Sequence, residues 1–549
     1  MKYVLLSRLL RIFKGESTCN VKCIVCKARD RTFLQSRQIV YMLRLSQLFI
    51  RTLHKSTSVF LDNSVSLKNC KTTTMDPYLN RCYNPNNTAM CNIPFNTASD
   101  NSIYCPNPAY DATYVRANVC TKAANCMQGN QVFDRQRYKT IRKWKQFGKG
   151  RPNGNGENSF TLRLFSFNIL AQNLLDTHSY LYQEHDPAAL SWKNRKPLVL
   201  QEILEAEANI ICLQEVLKDH LLDFVAPFLE LGYEYLYKKR TNDKKDGLLL
   251  LYRGDQFTLL DYAKVELHQS GIEVLNRDNV GIIAKLSLRD NPETQIVVAT
   301  THLLYNPRRN DVRLAQTQLL LAEIERIAFI ENTQTGPRYL PIILAGDFNL
   351  TPFSAVYKFL TEGSFEYYGK GRTLEPGQYH SLPNSLIPPR LCVTDNCQHF
   401  NILTKRLRKE GSGRVMLENS ELPFQKTDES VHSSCSTSGV NVNTSCTQVI
   451  EIVKGCSVKF SSGVLTHPFN MHSVYTHVDA KGEMEATTHQ GEWITVDYIF
   501  YSNIQLTEKY ILPTVNQCAM LPTIPNFVVG SDHLSIGATF QLPRKKSPL

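Results

Sequence analysis

The run Pro341-Ile342-Ile343-Leu344-Ala345 ends abruptly in Gly346-Asp347-Phe348-Asn349. Such a run suits a buried strand, and an acid and an amide at its end put two polar side chains at a sheet's rim. Catalytic groups tend to sit there, on loops held by a rigid scaffold. Polar residues of compatible chemistry recur in the same context. Leu162–Phe167 runs into Asn168, Asn209–Gln214 into Glu215, and Ile296–Thr301 into His302. Asp497 lies in the apolar stretch from Trp493, and Ser531-Asp532-His533 follows near the C-terminus.

The pattern predicts strands at 162–167, 209–214, 246–253, 279–287, 295–301, 340–345 and 493–501. It predicts helices at 194–206 and 216–230, and an amphipathic helix at 311–330. Strands outnumber helices and do not alternate strictly with them. That favours an α/β fold of two packed sheets flanked by helices over a doubly wound sheet. A domain spanning 151–549 is expected, with a long insertion at 408–462 rich in Ser, Thr, Glu, Asn and Gly.

Charge separates the N-terminal part from the rest. Residues 1–150 carry 24 Lys+Arg against 7 Asp+Glu, and the remainder carries 38 against 43. Residues 1–150 are therefore expected to be a basic, Cys-containing and largely disordered extension. Its densest block holds Arg135, Arg137, Lys139, Arg142, Lys143, Lys145 and Lys149, which reads either as a phosphate contact or as a solvated linker. Nine of the 16 cysteines lie in the first 126 residues. Arg8 and Arg11 break the short apolar start, so no signal peptide is expected and reduced thiols are. Cys19, Cys23 and Cys26 lack a fourth ligand nearby, which argues against zinc. From Met42 the acid-free stretch MLRLSQLFIRTLHKSTSVF reads as a mitochondrial-type presequence or as an unstructured basic extension; otherwise a cytoplasmic location is expected. No apolar run approaches the ~18 residues of a membrane span.

Glu215 at a strand's end is a natural ligand for Mg²⁺, which prefers oxygen donors, and Asn168 beside it would complete a metal and phosphate mouth. His302 could donate to a phosphoryl oxygen. Asp347 could orient or deprotonate water, and Asn349 could stabilise a pentavalent phosphorus. Asp532 adjoins the His533 imidazole, and Asp497 could hold that ring in one tautomer.

These blocks, taken in order, resemble the endonuclease/exonuclease/phosphatase superfamily: 167–170, 213–216, 301–303, 346–349, the Asp497 strand and 531–533. Tyr305-Asn306-Pro307 with Asp311-Val312-Arg313 and Gln316, and Asp246-Gly247 leading to Tyr252-Arg253, are similar to its deadenylase-related branch, which includes Nocturnin and the Angel proteins. The insertion and the lack of leucine-rich repeats make Angel the most similar. The resemblance implies a two-sheet sandwich with helices outside and a metal cofactor, Mg²⁺ or Mn²⁺. It implies Glu215 as the principal ligand with Asn168 beside it, and Asp532 at a second metal. Asp347 would activate water, Asn349 would contact the scissile phosphate, His302 and His533 would stabilise its charge, and Asp497 would orient His533. Substrate contacts would come from Pro307, Asn306, Asn279 and Arg253. The activity implied is hydrolysis at RNA 3′ ends, as a 3′–5′ exoribonuclease of poly(A) type or as a 2′,3′-cyclic phosphatase. The alternatives are an RNA-binding adaptor of translation or mRNA decay, partnered by factors of those processes, and a phosphatase or phosphodiesterase on a non-RNA substrate.

Overall fold

Side-chain alternation along the strands decides how the layers stack. In the computed structural model, which describes residues 133–146, 158–376, 381–409 and 447–545, Leu162 and Leu164 of Ser159–Asn168 enter one apolar cluster. Phe165 and Phe167 of the same strand enter another. A strand buried on both faces must sit between two apolar layers.

Among the described residues, thirteen strands make the two main sheets. The first contains β1 (Trp144–Gln146), β2 (Ser159–Asn168), β3 (Ile210–Leu217), β4 (Tyr233–Lys239) and β5 (Asp246–Arg253). The second contains β6 (Phe257–Glu266), β7 (Val280–Leu288), β8 (Gln295–His302), β9 (Ile342–Asp347), β10 (His472–Ser473) and β11 (Asp497–Ser502). The chain then returns to the first sheet as β12 (Gln505–Tyr510) and β13 (Ile536–Pro543). The orders are β1-β12-β13-β2-β3-β5-β4 and β10-β11-β9-β8-β7-β6. Among the described strands, only β2–β3 and β8–β9 run parallel. Each parallel pair sits inside its sheet, so Asn168 and Gln214 lie side by side in one and His302 and Asp347 in the other.

Between the sheets, Ile210, Cys212, Leu250, Ile282, Val298 and Ile343 form the inner core. Helices Trp192–Glu205 and Leu221–Glu230 cover the first sheet's outer face. Asn310–Ala328 and Ala355–Glu362 cover the second's. The two-sheet sandwich flanked by helices is thus the observed architecture.

Six of the thirteen strands, β1, β4, β6, β10, β12 and β13, lie outside the expected runs, and three expected elements differ in detail. The helix expected from 216 starts at Leu221, because β3 continues to Leu217 and a tight turn spans Lys218–His220. The strand expected at 493–501 is two pieces, Trp493–Ile494 and β11. The helix expected to be amphipathic, Asn310–Ala328, is buried on every side from Asp311 onward. Its polar face is covered by the segment around residues 394–406: His399 Nε2 lies 2.6 Å from Glu323 Oε1, and Arg406 Nη1 donates to Glu325 Oε1 at 2.8 Å. Pairing is what makes such buried charges tolerable.

Two elements lie ahead of the domain boundary expected at 151. A helix at Arg135–Ile141 and β1 both belong to the same compact unit as the sandwich. Arg135 Nη2 reaches Glu202 Oε2 at 2.6 Å, and the buried Arg142 donates to Ile511 O at 2.5 Å. For these two arginines neither the phosphate contact nor the solvated linker describes the structure, because acidic and carbonyl partners on the sandwich engage them. Within the expected insertion, Gln448–Val453 and Cys456–Phe460 form a hairpin packed on the helix Phe400–Leu407. The cysteine spacing at 19–26, the stretch from Met42 and residues 410–446 lie outside the described residues. No helix among the described residues is long and apolar enough to cross a membrane.

Candidate active site

The polar strand ends meet at one mouth of the sandwich. In β9, Ile343 and Ala345 face the inner core while Ile342 and Leu344 face the helices. The period of two therefore turns Asp347 inward, and the same parity turns Asn168, His302 and Asp497 inward. Gly346 allows the approach. Its φ is 149°, and a Cβ there would lie 2.0 Å from Thr301 O.

Glu215 breaks the parity rule. Ile211 and Leu213 face outward, so strict alternation would send Glu215 outward too. The β3–β5 register shifts between Leu213 and Val216, and Glu215 has φ 61°. This bulge re-aims the carboxylate towards the mouth. A bulky residue in the left-handed region is strained, and such strain collects at functional sites.

One carboxamide joins the acids. Asn168 Nδ2 donates to Glu215 Oε1 at 3.1 Å and to Asp347 Oδ2 at 3.0 Å. Ala171 N–H donates to Glu215 Oε2 at 2.9 Å. Asn349 N–H donates to Asp347 Oδ1 at 2.9 Å. His302 Nε2 lies 3.5 Å and His533 Nε2 3.8 Å from Asp347 Oδ2. His533 Nδ1 is 2.9 Å from Asp497 Oδ2. Below them Gln214 Nε2 donates to Ser166 Oγ and Thr300 Oγ1, bridging the two sheets.

Burial pushes the Glu215 carboxyl up to about 7, with the charges of Asp532 and Asp246 adding to it. Burial, then Asp497, raises Asp347 to about 7 as well. Burial, helped by the charges of Arg240 and His533, holds His302 neutral, well below the usual imidazole range. For His533 burial acts the same way, but Asp497, Asp347 and Asp532 together outweigh it and keep the ring protonated. Two similar rings thus carry different charges across the mouth.

The protein partners of the other expected residues are as follows. The Asn168 amide turns its nitrogen to the carboxylates, and its Oδ1 accepts from Leu170 N–H. Asn349 Nδ2 donates to Leu303 O at 3.0 Å. Asn279 Nδ2 holds the His302 carbonyl at 2.9 Å. Asn306 and Pro307 lie exposed on the loop after His302, where Asn306 Oδ1 accepts from Arg308 N–H. Asp532 Oδ2 accepts from Tyr182 OH at 2.7 Å. Arg253 does not join the site. It ends β5 about 20 Å from the mouth, given the strand's rise per residue, and its Nε and Nη2 both bond Asp255.

Sequence reading missed three supports. Tyr182 holds Asp532. Buried Arg195 donates to the carbonyls of Ile169, Leu170 and Gly530, clamping the loop after Asn168. Asp246 is buried beside the Glu215 bulge. A tyrosine and an arginine in helical segments carry no signal of their own, whereas Asp246 opens an apolar run as the other site residues close theirs.

The sequence profile of the endonuclease/exonuclease/phosphatase family matches residues 165–533, from β2 to His533. The chain belongs to this family. It is 34% identical over 418 residues to human protein angel homolog 2, covering 71% of this chain and 70% of that one. It is 29% identical over 412 residues to protein angel of Drosophila melanogaster, covering 73% and 86%. A crystal structure of ANGEL2, described as a 2′,3′-cyclic phosphatase in complex with adenosine-2′,3′-vanadate, superposes with a TM-score of 0.56 at 33% identity, covering 73% of this chain and 98% of that one. Within the endonuclease/exonuclease/phosphatase family, then, this is an enzyme close to the Angel proteins.

Proposed function

We propose that this chain is a metal-dependent 2′,3′-cyclic phosphatase acting on RNA 3′ ends. The observation that carries the reading is Asp347, buried where Asn168, His302 and His533 converge, in a chain that matches 98% of the crystallised chain of a cyclic phosphatase.

The donor set fits a hard cation. Glu215, Asp246 and Asp532 gather negative charge at the mouth, and burial, with the charges of Asp532 and Asp246 adding to it, pushes the Glu215 carboxyl up to about 7. Oxygen-rich, carboxylate-dominated sites suit Mg²⁺, with Mn²⁺ as a substitute. Glu215 would hold it, with Asp532 on the same side. Asp347, Asp497 and His533 also bring ligand atoms within 4.8 Å of one another, but Asp497 and His533 are already bonded to each other. The chemistry such an ion supplies when bound is neutralisation of phosphate charge and polarisation of the phosphoryl oxygen.

The chain's own groups divide the remaining work. Asp347 takes a proton from the attacking water, for which a pKa of about 7 is well matched. Asn168 and the Asn349 N–H hold the two oxygens of that carboxylate in place. Neutral His302 hydrogen-bonds a phosphoryl oxygen without competing for the proton. His533, kept protonated by Asp497, delivers a proton to the ribose oxygen that leaves. A P–O bond to water forms, one ring P–O bond breaks, and a phosphomonoester results.

The test uses the full chain and its Asp347→Asn variant with two 5′-labelled RNAs in Mg²⁺. One ends in a 2′,3′-cyclic phosphate, the other in an A tract with a free 3′-OH. Conversion of the cyclic end without shortening, lost in the variant, is expected. A ladder of shortened products would replace this reading with an exoribonuclease. Inactivity of folded protein on both RNAs would overturn either.

A further inference from the structure

One guanidinium, outside every motif block, sits on a loop tied to both the Glu215 and the His302 sides of the mouth. Arg240 follows β4, and its N–H donates to Asp246 O at 3.0 Å. Its Nη1 lies 3.5 Å from Asp246 Oδ2, and its Nε donates to Asp278 O at 3.4 Å. Thr241 Oγ1 and Asn242 Nδ2 both donate to Asp278 Oδ1, at 2.7 and 2.6 Å. The next residue, Asn279, holds the His302 carbonyl and accepts from Gln316 Nε2 at 2.9 Å. Two consecutive residues therefore tie the Arg240 loop to the strand end that carries His302.

The other side of the loop is tied to Glu215. Asp246 opens β5 and is the Cα partner of Leu217, two residues beyond Glu215. Gly247 lets β4 come close, since a Cβ there would lie 2.3 Å from Lys238 O.

Asp246 is 1% exposed, and among the described residues neither of its carboxylate oxygens has a hydrogen-bond partner. A carboxylate this buried needs a charge to face, and Arg240 is the cation at ion-pair distance. Arg240 itself remains 18% exposed. Two of its three nitrogens are anchored, and among the described residues Nη2 has no protein partner. An arginine held by two anchors, with an exposed edge in a phosphodiesterase mouth, is pre-arranged to receive a second anion.

We propose that Arg240, aimed by Asp246 and Asp278, binds the phosphoryl oxygens of the RNA's terminal phosphate. The inference rests on the function proposed above and adds the group that recognises the reacting phosphate. Planar guanidinium N–H groups match phosphate oxygens in a way an ammonium does not. Asp246 acts through Arg240 and is a positioning residue. Lys239 braces the same loop, donating through Nζ to Asn242 O and Lys244 O.

The experiment compares the full chain with Arg240→Ala, Arg240→Lys and Asp246→Asn. Each is measured for kcat and KM on an RNA ending in a 2′,3′-cyclic phosphate. Each is also measured for thermal stabilisation by inorganic phosphate, which needs no turnover. Arg240→Ala should lower kcat/KM about 10²-fold and abolish the phosphate-dependent stabilisation. Arg240→Lys should recover part of both, and Asp246→Asn should lower kcat/KM roughly 10-fold while weakening the phosphate response. Should Arg240→Ala fail to fold, the other two variants carry the test. Folded Arg240 variants with kcat/KM and phosphate response within about twofold of the parent would overturn the inference. If the parent leaves cyclic ends untouched yet phosphate still stabilises it through Arg240, the proposed function fails and the phosphate site stands. If the parent shows neither, both fail.

Discussion

His533 Nδ1 lies 2.9 Å from Asp497 Oδ2, with both side chains buried. The contact turns the other ring nitrogen, Nε2, towards Asp347 and keeps the ring charged. Asp497→Asn should therefore cost about 10²- to 10⁴-fold in kcat. The loss should grow with pH. In the parent the ring stays protonated through neutrality, whereas without Asp497 its pKa falls and the charged form disappears as pH rises. A pH–rate profile of both proteins from pH 5.5 to 8.5 checks this; parallel profiles would rule out the role assigned to Asp497.

Glu215→Gln should abolish turnover and leave the fold intact. The bulge that aims residue 215 is a backbone feature, and Gln keeps the shape and an oxygen that can accept from Ala171 N–H. The expected loss is at least 10³-fold. Circular dichroism and turnover on a cyclic-phosphate RNA, measured on one preparation, separate catalysis from folding. Retained activity with an undiminished Mg²⁺ requirement would remove Glu215 as the ligand.

The metal-free protein should lose stability as pH rises. Glu215 and Asp347 are each raised to about 7. A carboxyl raised above its unfolded value binds its proton more tightly in the fold. Its contribution is complete below about pH 4 and is lost as pH climbs through the folded value. Thermal unfolding in chelator should show a Tm that falls between pH 5 and 8. Mg²⁺ should raise Tm more at pH 8 than at pH 5, since it replaces the protons. Equal Mg²⁺ increments at the two pH values would contradict a carboxylate-bound ion.

Gly346→Ala should not yield soluble folded protein. The added methyl would lie 2.0 Å from Thr301 O on the neighbouring strand, at a φ of 149°. Strand backbones cannot yield by that amount without breaking the β8–β9 ladder. Gly455→Ala, at φ 81° with nothing within 4 Å, should cost only about 1 kcal/mol. Soluble yield and Tm of the two variants make the comparison; similar values would mean that the close approach at Gly346 is not required.

Much of this was legible because buried strands announce themselves. Apolar runs closed by Asn168, His302 and Asp347 mark both the sheets and the mouth, since a polar side chain at a strand's last position has only the rim to occupy. Glu215 shows where that logic stops. Its place at the end of a run is visible, but its direction depends on a bulge that reverses the expected face. Arg253 and Arg240 show the same limit from another side. Both flank β-strands in charged surroundings, yet only strand direction tells which end faces the mouth, and it favours Arg240. The helix Asn310–Ala328 reads as amphipathic because nothing local reveals that Arg406 and His399 will cover its acids.

The sequence by itself determined seven of the thirteen strands, the sandwich and the polar residues that close buried strands, because hydrophobic periodicity and strand-end position are local properties. The tertiary structure alone decided which charge each group carries and what it faces. Charge state follows from burial and from neighbours distant in the chain, as Asp497 is from Asp347 and Arg240 from His302. Those neighbours exist only once the two sheets have closed on each other.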